Sequence, residues 1–164
     1  MTLTIDLADP AATDALGFAL GERLFPGAVV ALNGQLGAGK THLVRAIAAG
    51  MRVRNLAAVN SPTFVLIQEY AARLPIAHFD TYRLGSEREF AELGVDEYFA
   101  AGGVCLIEWA EKVVGVLPAD RLTIALTVTG PERRSAHLVA GGPRHATLMA
   151  GLLGGGADGE AVNR

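Results

Sequence analysis

Long apolar runs, cysteine pairs and clustered positive charge are all missing from this chain, and each absence removes a class of function. No stretch of the 164 residues approaches the roughly 20 consecutive apolar residues that a membrane-spanning helix needs, so no membrane role is expected. The single cysteine, Cys105, excludes an internal disulfide and a cysteine zinc cluster. It sits in the apolar run "GGVCLIE", where a buried thiol is expected. The first residues, "MTLTIDLADP", place acids at Asp6 and Asp9 and no basic residue ahead of an apolar run, unlike a secretory leader. The expectation is therefore a cytoplasmic protein. Net charge is −3 and the basic residues are scattered, so no electrostatic footprint of an autonomous nucleic-acid binder exists. Contact with RNA is expected to run through partners.

Lysine is scarce too, with only Lys40 and Lys112 in the whole chain. Neither lies in an N-K-x-D context, which argues against a guanine-reading GTPase. What the chain has in quantity is hydrophobic residues, at 51%. A chain of this length forms one ordinary domain that buries roughly 70% of its unfolded surface.

Periodicity predicts a short strand at 2–6 and a helix over 11–25, closed by Pro26 and Gly27. "AVVALNG" reads as a buried strand and "KTHLVRAIAAG" as a helix stopped by Gly50. "FVLIQEY" and "PIAHFDTYRL" are separated by only four residues and predict an antiparallel hairpin. A short helix near 86–93 follows, then "GGVCLIE" as a strand buried on both faces, and "WAEKVVGVLP" as a short helix ended by Pro118. "RLTIALTVTG" and "RSAHLVAGG" predict a terminal hairpin. The whole predicts an α/β fold of one domain over 1–154, with a disordered tail at 155–164.

Between the strand and helix at 28–50 lies "GQLGAGKT", residues 34–41, which satisfies G-x-x-x-x-G-K-[ST]. Glycines at such a turn let consecutive backbone N–H groups point inward around phosphate oxygens, and the following helix presents its positive end to the same anion. Gly37, Ala38, Gly39 and the His42 backbone are thus candidate phosphate contacts. Lys40 is placed to bridge the β- and γ-phosphates of ATP, and Thr41 to ligate Mg²⁺. Such a site also needs an acid at the end of a neighbouring buried strand. Glu108 ends "VCLIE" and is assigned to the metal; Asp80 ends "PIAHFD" and is assigned to water activation or support. "NSPTF" carries Ser61 and Thr63, and reads from spacing as a capped turn or as a γ-phosphate-sensing switch, with the turn favoured. His78 reads as an ordinary strand histidine and Tyr82 and Arg83 as surface; Arg133 and Arg134 read as solvated charge, or as arginines reaching the nucleotide from the last hairpin, with solvated charge favoured. Trp109 reads equally as core or as part of the site.

Together, "GQLGAGKT", "SPTF", "HFDTYRL", "ELGVDEYF" and "LIEW" resemble the bacterial TsaE (YjeE) family in order and spacing. The resemblance is strong from Gly34 to Trp109 and weaker to the terminal hairpin. It implies a three-layer P-loop NTPase-like fold with a mixed parallel and antiparallel sheet. It implies an ATPase, slow alone and activated by partners, that couples hydrolysis to turnover of a TsaB–TsaD complex making N6-threonylcarbamoyladenosine in tRNA. Lys40 and Thr41 would be the lysine and Mg²⁺ ligand, Glu108 a second metal-associated acid, Asp80 the acid of the H-x-D-x-Y-R element, and Ser61 with Thr63 the switch. His42 departs from relatives that carry a hydroxyl residue there. The alternatives are a small P-loop metabolite kinase, disfavoured by the acidic "GSEREFAELGVDEYF" where an arginine-rich lid would lie, and a non-hydrolysing nucleotide-dependent regulator.

Overall fold

A computed structural model describes residues 1–154. The expected disorder of 155–164 lies outside the described residues. Among the described residues seven strands form one sheet: β1 (Thr2–Leu7), β2 (Val29–Gly34), β3 (Ile67–Tyr70), β4 (Ile76–Asp80), β5 (Val104–Glu108), β6 (Leu122–Val128) and β7 (Arg134–Ala140). Their spatial order is β1-β7-β6-β2-β5-β4-β3. The centre, β6-β2-β5-β4, is parallel. Both edges are antiparallel, through the predicted β6–β7 and β3–β4 hairpins and through β1 on β7.

Because strand side chains alternate between faces, each central strand feeds two cores. Val30, Leu32, Val104 and Leu106 pack on one side with α1 (Pro10–Arg23) and α2 (Lys40–Gly50). Val29, Ala31, Cys105 and Ile107 pack on the other, under α3 (Glu87–Ala91) and α4 (Val95–Ala100). This double burial is why β2 and β5 read as unbroken apolar runs. Cys105 is buried as expected, and burial pushes its thiol up to about 12.

Local chemistry sets the helix starts. Asp9 accepts from the Ala12 N–H at 2.9 Å and Pro10 occupies the first helical turn of α1. Ser86 caps α3 through the Glu89 N–H. α1 and α2 then approach so closely that a Cβ at Gly21 would overlap the Ile47 carbonyl, and one at Gly50 the Phe18 carbonyl.

Two expectations are corrected and two elements are added. "FVLIQEY" is a strand only over Ile67–Tyr70, because the Leu66 N–H turns back to the Pro62 carbonyl at 2.7 Å and Leu66 sits at φ 68°. "WAEKVVGVLP" forms two 3₁₀ turns, Ala110–Lys112 and Val114–Val116, since β-branched valines and Gly115 give a continuous α-helix little support. α4, and α5 (Pro143–Gly154), were not expected at all. Tertiary contacts hold α5, which leaves little local signal: His145 is buried, its ring tilted against Phe25 with centroids 4.9 Å apart, and meets Asp120 at 2.7 Å.

His145 Nε2 accepts from the Val29 N–H at 3.2 Å, so the ring must keep one nitrogen unprotonated. Burial lowers its pKa; the Asp120 hydrogen bond and charge oppose this, and Arg144 adds to it. A histidine held below its ordinary pKa contributes stability above about pH 6.5, lost as pH falls through the folded value. Urea unfolding should therefore show stability falling between pH 7 and 5, with a shallower fall in His145→Gln. An identical slope in both proteins would remove His145 from the account.

Candidate functional site

The glycine loop starts where β2 stops. Gly34 lies at φ 149°, Gly37 at 80° and Gly39 at 103°, backbone settings that side chains resist. Gly39 precedes the first residue of α2, so Lys40 and Thr41 sit on the opening turn of that helix. Leu43 N–H closes onto the Gly39 carbonyl at 2.9 Å and Ala38 N–H onto Gln35 at 3.0 Å.

Lys40 is 5% exposed. Its Nζ donates to the Gly34 carbonyl at 2.5 Å and the Gln35 carbonyl at 3.0 Å, and lies 3.8 Å from the Trp109 ring centroid. Burial lowers its pKa, while the charges of Glu111, Glu108 and Asp80 pull the other way. Thr41 Oγ1 donates to Glu108 Oε1 at 2.7 Å. The other carboxylate oxygen, Oε2, receives the Nε2–H of fully buried His78 at 2.7 Å.

Asp80 is the direct register partner of Glu108 across β4 and β5. Its Oδ2 accepts from Ser61 Oγ at 2.5 Å and Thr63 Oγ1 at 3.1 Å, and its Oδ1 from the Tyr82 N–H at 2.8 Å. The "NSPTF" segment is thus tied to an acid, which spacing alone did not reveal. The loop, the start of α2, the 61–63 segment and the two strand-end acids meet at one hollow of about 380 Å³, with His78 buried behind Glu108. Gly37, Gly39, Lys40, Thr41, His42, Thr63, Asp80 and Glu108 all reach it, while Ala38 is buried behind the loop. The His42 side chain also engages Asp14 at 2.6 Å.

The chain matches the family model "Threonylcarbamoyl adenosine biosynthesis protein TsaE" over residues 7–136. It belongs to the TsaE family. A TsaE of Bacillus subtilis is 44% identical over 124 residues, 75% of this chain and 76% of the relative. A Streptomyces coelicolor TsaE is 37% identical over 85% of this chain and 98% of its own. The crystal structure of B. subtilis YdiB superposes with a TM-score of 0.80 at 33% identity, covering 95% of this chain and 97% of that one. These matches bear out the resemblance to TsaE and the α/β fold with a mixed sheet.

Three residues that the sequence reads as ordinary strand, as core or site, and as solvated charge bear on the site. His78 stands two positions before Asp80, and period-two alternation puts both on the same face. Trp109 adopts φ 59° and is held there by Thr81 Oγ1, which donates to its carbonyl at 2.7 Å. Arg134 spans to the glycine loop, donating to the Ala38 carbonyl at 3.1 Å and the Gly37 carbonyl at 3.4 Å. No local sequence signal marks Arg134, because the contact joins residues almost a hundred positions apart. Arg133 instead pairs with Asp6 at the surface.

Arg134→Ala removes two braces from the loop. Amide exchange at Ala38, whose N–H bonds the Gln35 carbonyl, should rise roughly fivefold to tenfold, the size of one or two net hydrogen bonds, with little change in global unfolding. Unchanged exchange would show that the loop holds its own shape.

Proposed function

We propose that this chain is the ATP-binding and ATP-hydrolysing subunit of the machinery that makes N6-threonylcarbamoyladenosine in tRNA, coupling hydrolysis to turnover of a TsaB–TsaD complex. The relatives are named for threonylcarbamoyladenosine biosynthesis, which supports the tRNA part. The nucleotide part rests on one arrangement. An ammonium, a hydroxyl and a carboxylate, from Lys40, Thr41 and Glu108, meet at the mouth of a glycine loop that opens an α-helix.

The loop amides at 37–39 and the first turn of α2 suit an anion. Lys40 supplies a charge to the β- and γ-phosphates, and anionic phosphate favours its charged form against the burial that lowers its pKa. Thr41 Oγ1 and Glu108 Oε1, 2.7 Å apart, are hard oxygen donors side by side. They fit Mg²⁺, which takes one or two protein oxygens and completes its shell with phosphate and water. Held by these two residues, Mg²⁺ would supply neutralisation of phosphate charge. Asp80 then orients or deprotonates the attacking water, and Ser61 with Thr63 sense the γ-phosphate through their bonds to Asp80.

Two further observations support an ATPase with partners over a metabolite kinase. Residues 86–100 pack down as α3 and α4, with Phe90 buried edge-on against Phe79, and Arg88 is paired with Glu92. That stretch therefore supplies no arginine to a phosphate. Leu36 and Phe64, about four-fifths exposed, flank the hollow on the loop and the 60–66 segment, an apolar rim suited to covering by a protein surface. The negative net charge favours contact with tRNA through those partners.

Calorimetry and single-turnover hydrolysis test this reading. Lys40→Ala should lose at least about tenfold in ATP affinity. Glu108→Ala should keep most of that affinity and lose roughly 10² in Mg²⁺-dependent hydrolysis. Hydrolysis by the chain alone should be slow and accelerate markedly with TsaB and TsaD. Unchanged affinity in Lys40→Ala would overturn the nucleotide site, and equal rates with and without partners would overturn the coupling.

A further inference from the structure

His78 and Tyr70 are buried polar side chains to which the proposed hydrolysis assigns no task. His78 is 0% exposed on β4, facing the α1–α2 core between Ile76 and Asp80. An apolar side chain would fill that place at no desolvation cost, whereas a buried imidazole needs partners at both nitrogens. It has both. Nε2 meets Glu108 Oε2 at 2.7 Å and Nδ1 meets the Tyr70 hydroxyl at 3.3 Å. The same hydroxyl lies 3.3 Å from the Asn60 carbonyl.

A phenol has one hydrogen to donate. In the neutral ring the Glu108 carboxylate takes the Nε2 hydrogen, leaving Nδ1 as an acceptor. Tyr70 then divides one hydrogen between His78 and the Asn60 backbone. Strengthening one contact weakens the other. Asn60 immediately precedes Ser61, which bonds Asp80, and Asp80 neighbours Glu108 in the sheet. The contacts therefore close a circuit from Thr41 through Glu108, His78, Tyr70, Asn60 and Ser61 to Asp80.

We propose that His78 is a positioning residue that aims the Glu108 carboxylate at Thr41, and that Tyr70 couples that carboxylate to the backbone of the Asn60–Thr63 segment. The positioning half rests on Glu108 being the metal-holding acid; the coupling half stands on the free protein. Coupling of this kind is reciprocal: whatever holds Glu108 biases the segment, and whatever holds the segment biases Glu108. The device gives the acid and the γ-phosphate-facing hydroxyls a common mechanical state without direct contact between them.

The coupling is tested without nucleotide, by amide exchange at Leu66, whose N–H closes the segment onto the Pro62 carbonyl at 2.7 Å, in a double-mutant cycle of Tyr70→Phe and Glu108→Gln. Each single change should raise exchange by roughly threefold to tenfold, and Glu108→Gln should add little in the Tyr70→Phe background. Additive effects, or no response of the segment to Glu108→Gln, would overturn it. Unfolding curves of each variant separate local from global opening. Positioning is tested by calorimetric Mg²⁺ titration at saturating ATP. His78→Ala should weaken Mg²⁺ by roughly tenfold, the scale of removing a carboxylate's orienting partner. His78→Gln, which restores an N–H toward Glu108, should recover most of it. Equal loss in both variants, or none in His78→Ala, would reject positioning. Failure of wild type to bind ATP would instead count against the nucleotide reading, leaving the exchange cycle to decide the coupling.

Discussion

The buried Glu108 carboxylate is the constraint around which the site is organised. At 2% exposure it is largely sealed from solvent, and a carboxylate so placed is tolerable only when its oxygens are hydrogen-bonded. Each oxygen has one protein donor, Thr41 on Oε1 and His78 on Oε2. Those donors come from α2 and β4, so the pairing fixes the start of the helix against the strand next door. Asp80 repeats the solution one strand over, with three donors, two from the 61–63 segment.

The sheet makes this possible by placing the ends of β2, β4 and β5 side by side in parallel. Parallel strands bring their C-terminal ends to one edge, where the glycine loop, Asp80 and Glu108 emerge together, as expected for ligand sites in open α/β sheets. The antiparallel β3 does a different task. It returns the chain from the 60–66 segment alongside β4, which sets Tyr70 next to His78. A helical crossover there would have carried the segment away from the acids.

Lys40 sits under competing influences. Burial works against its charge, three nearby carboxylates and two carbonyl acceptors favour it, and the Trp109 face lies within cation–π range. Trp109 reaches that place only because its backbone takes a left-handed setting, a cost secured by Thr81 bonding its carbonyl. Strain of this sort next to a strand-end acid suits a site in which the aromatic ring has to face the loop rather than the core.

The sequence by itself determined the pieces whose physics is local. The glycine loop, the helix opened by Lys40, the doubly buried β2 and β5, and the acids at the strand ends follow from spacing, alternation and turn chemistry within a dozen residues. Only the tertiary structure decided what depends on partners far along the chain. It converted Ser61 and Thr63 from a plausible capped turn into donors to Asp80, made His78 a partner of Glu108, and turned Arg134 onto the loop. It also shortened β3 and produced α5, whose buried His145 is held by Asp120 and the backbone of Val29. A hydrogen bond between residues 30 or 100 positions apart leaves no periodic trace in sequence, because its energy exists only once the sheet has brought both ends together.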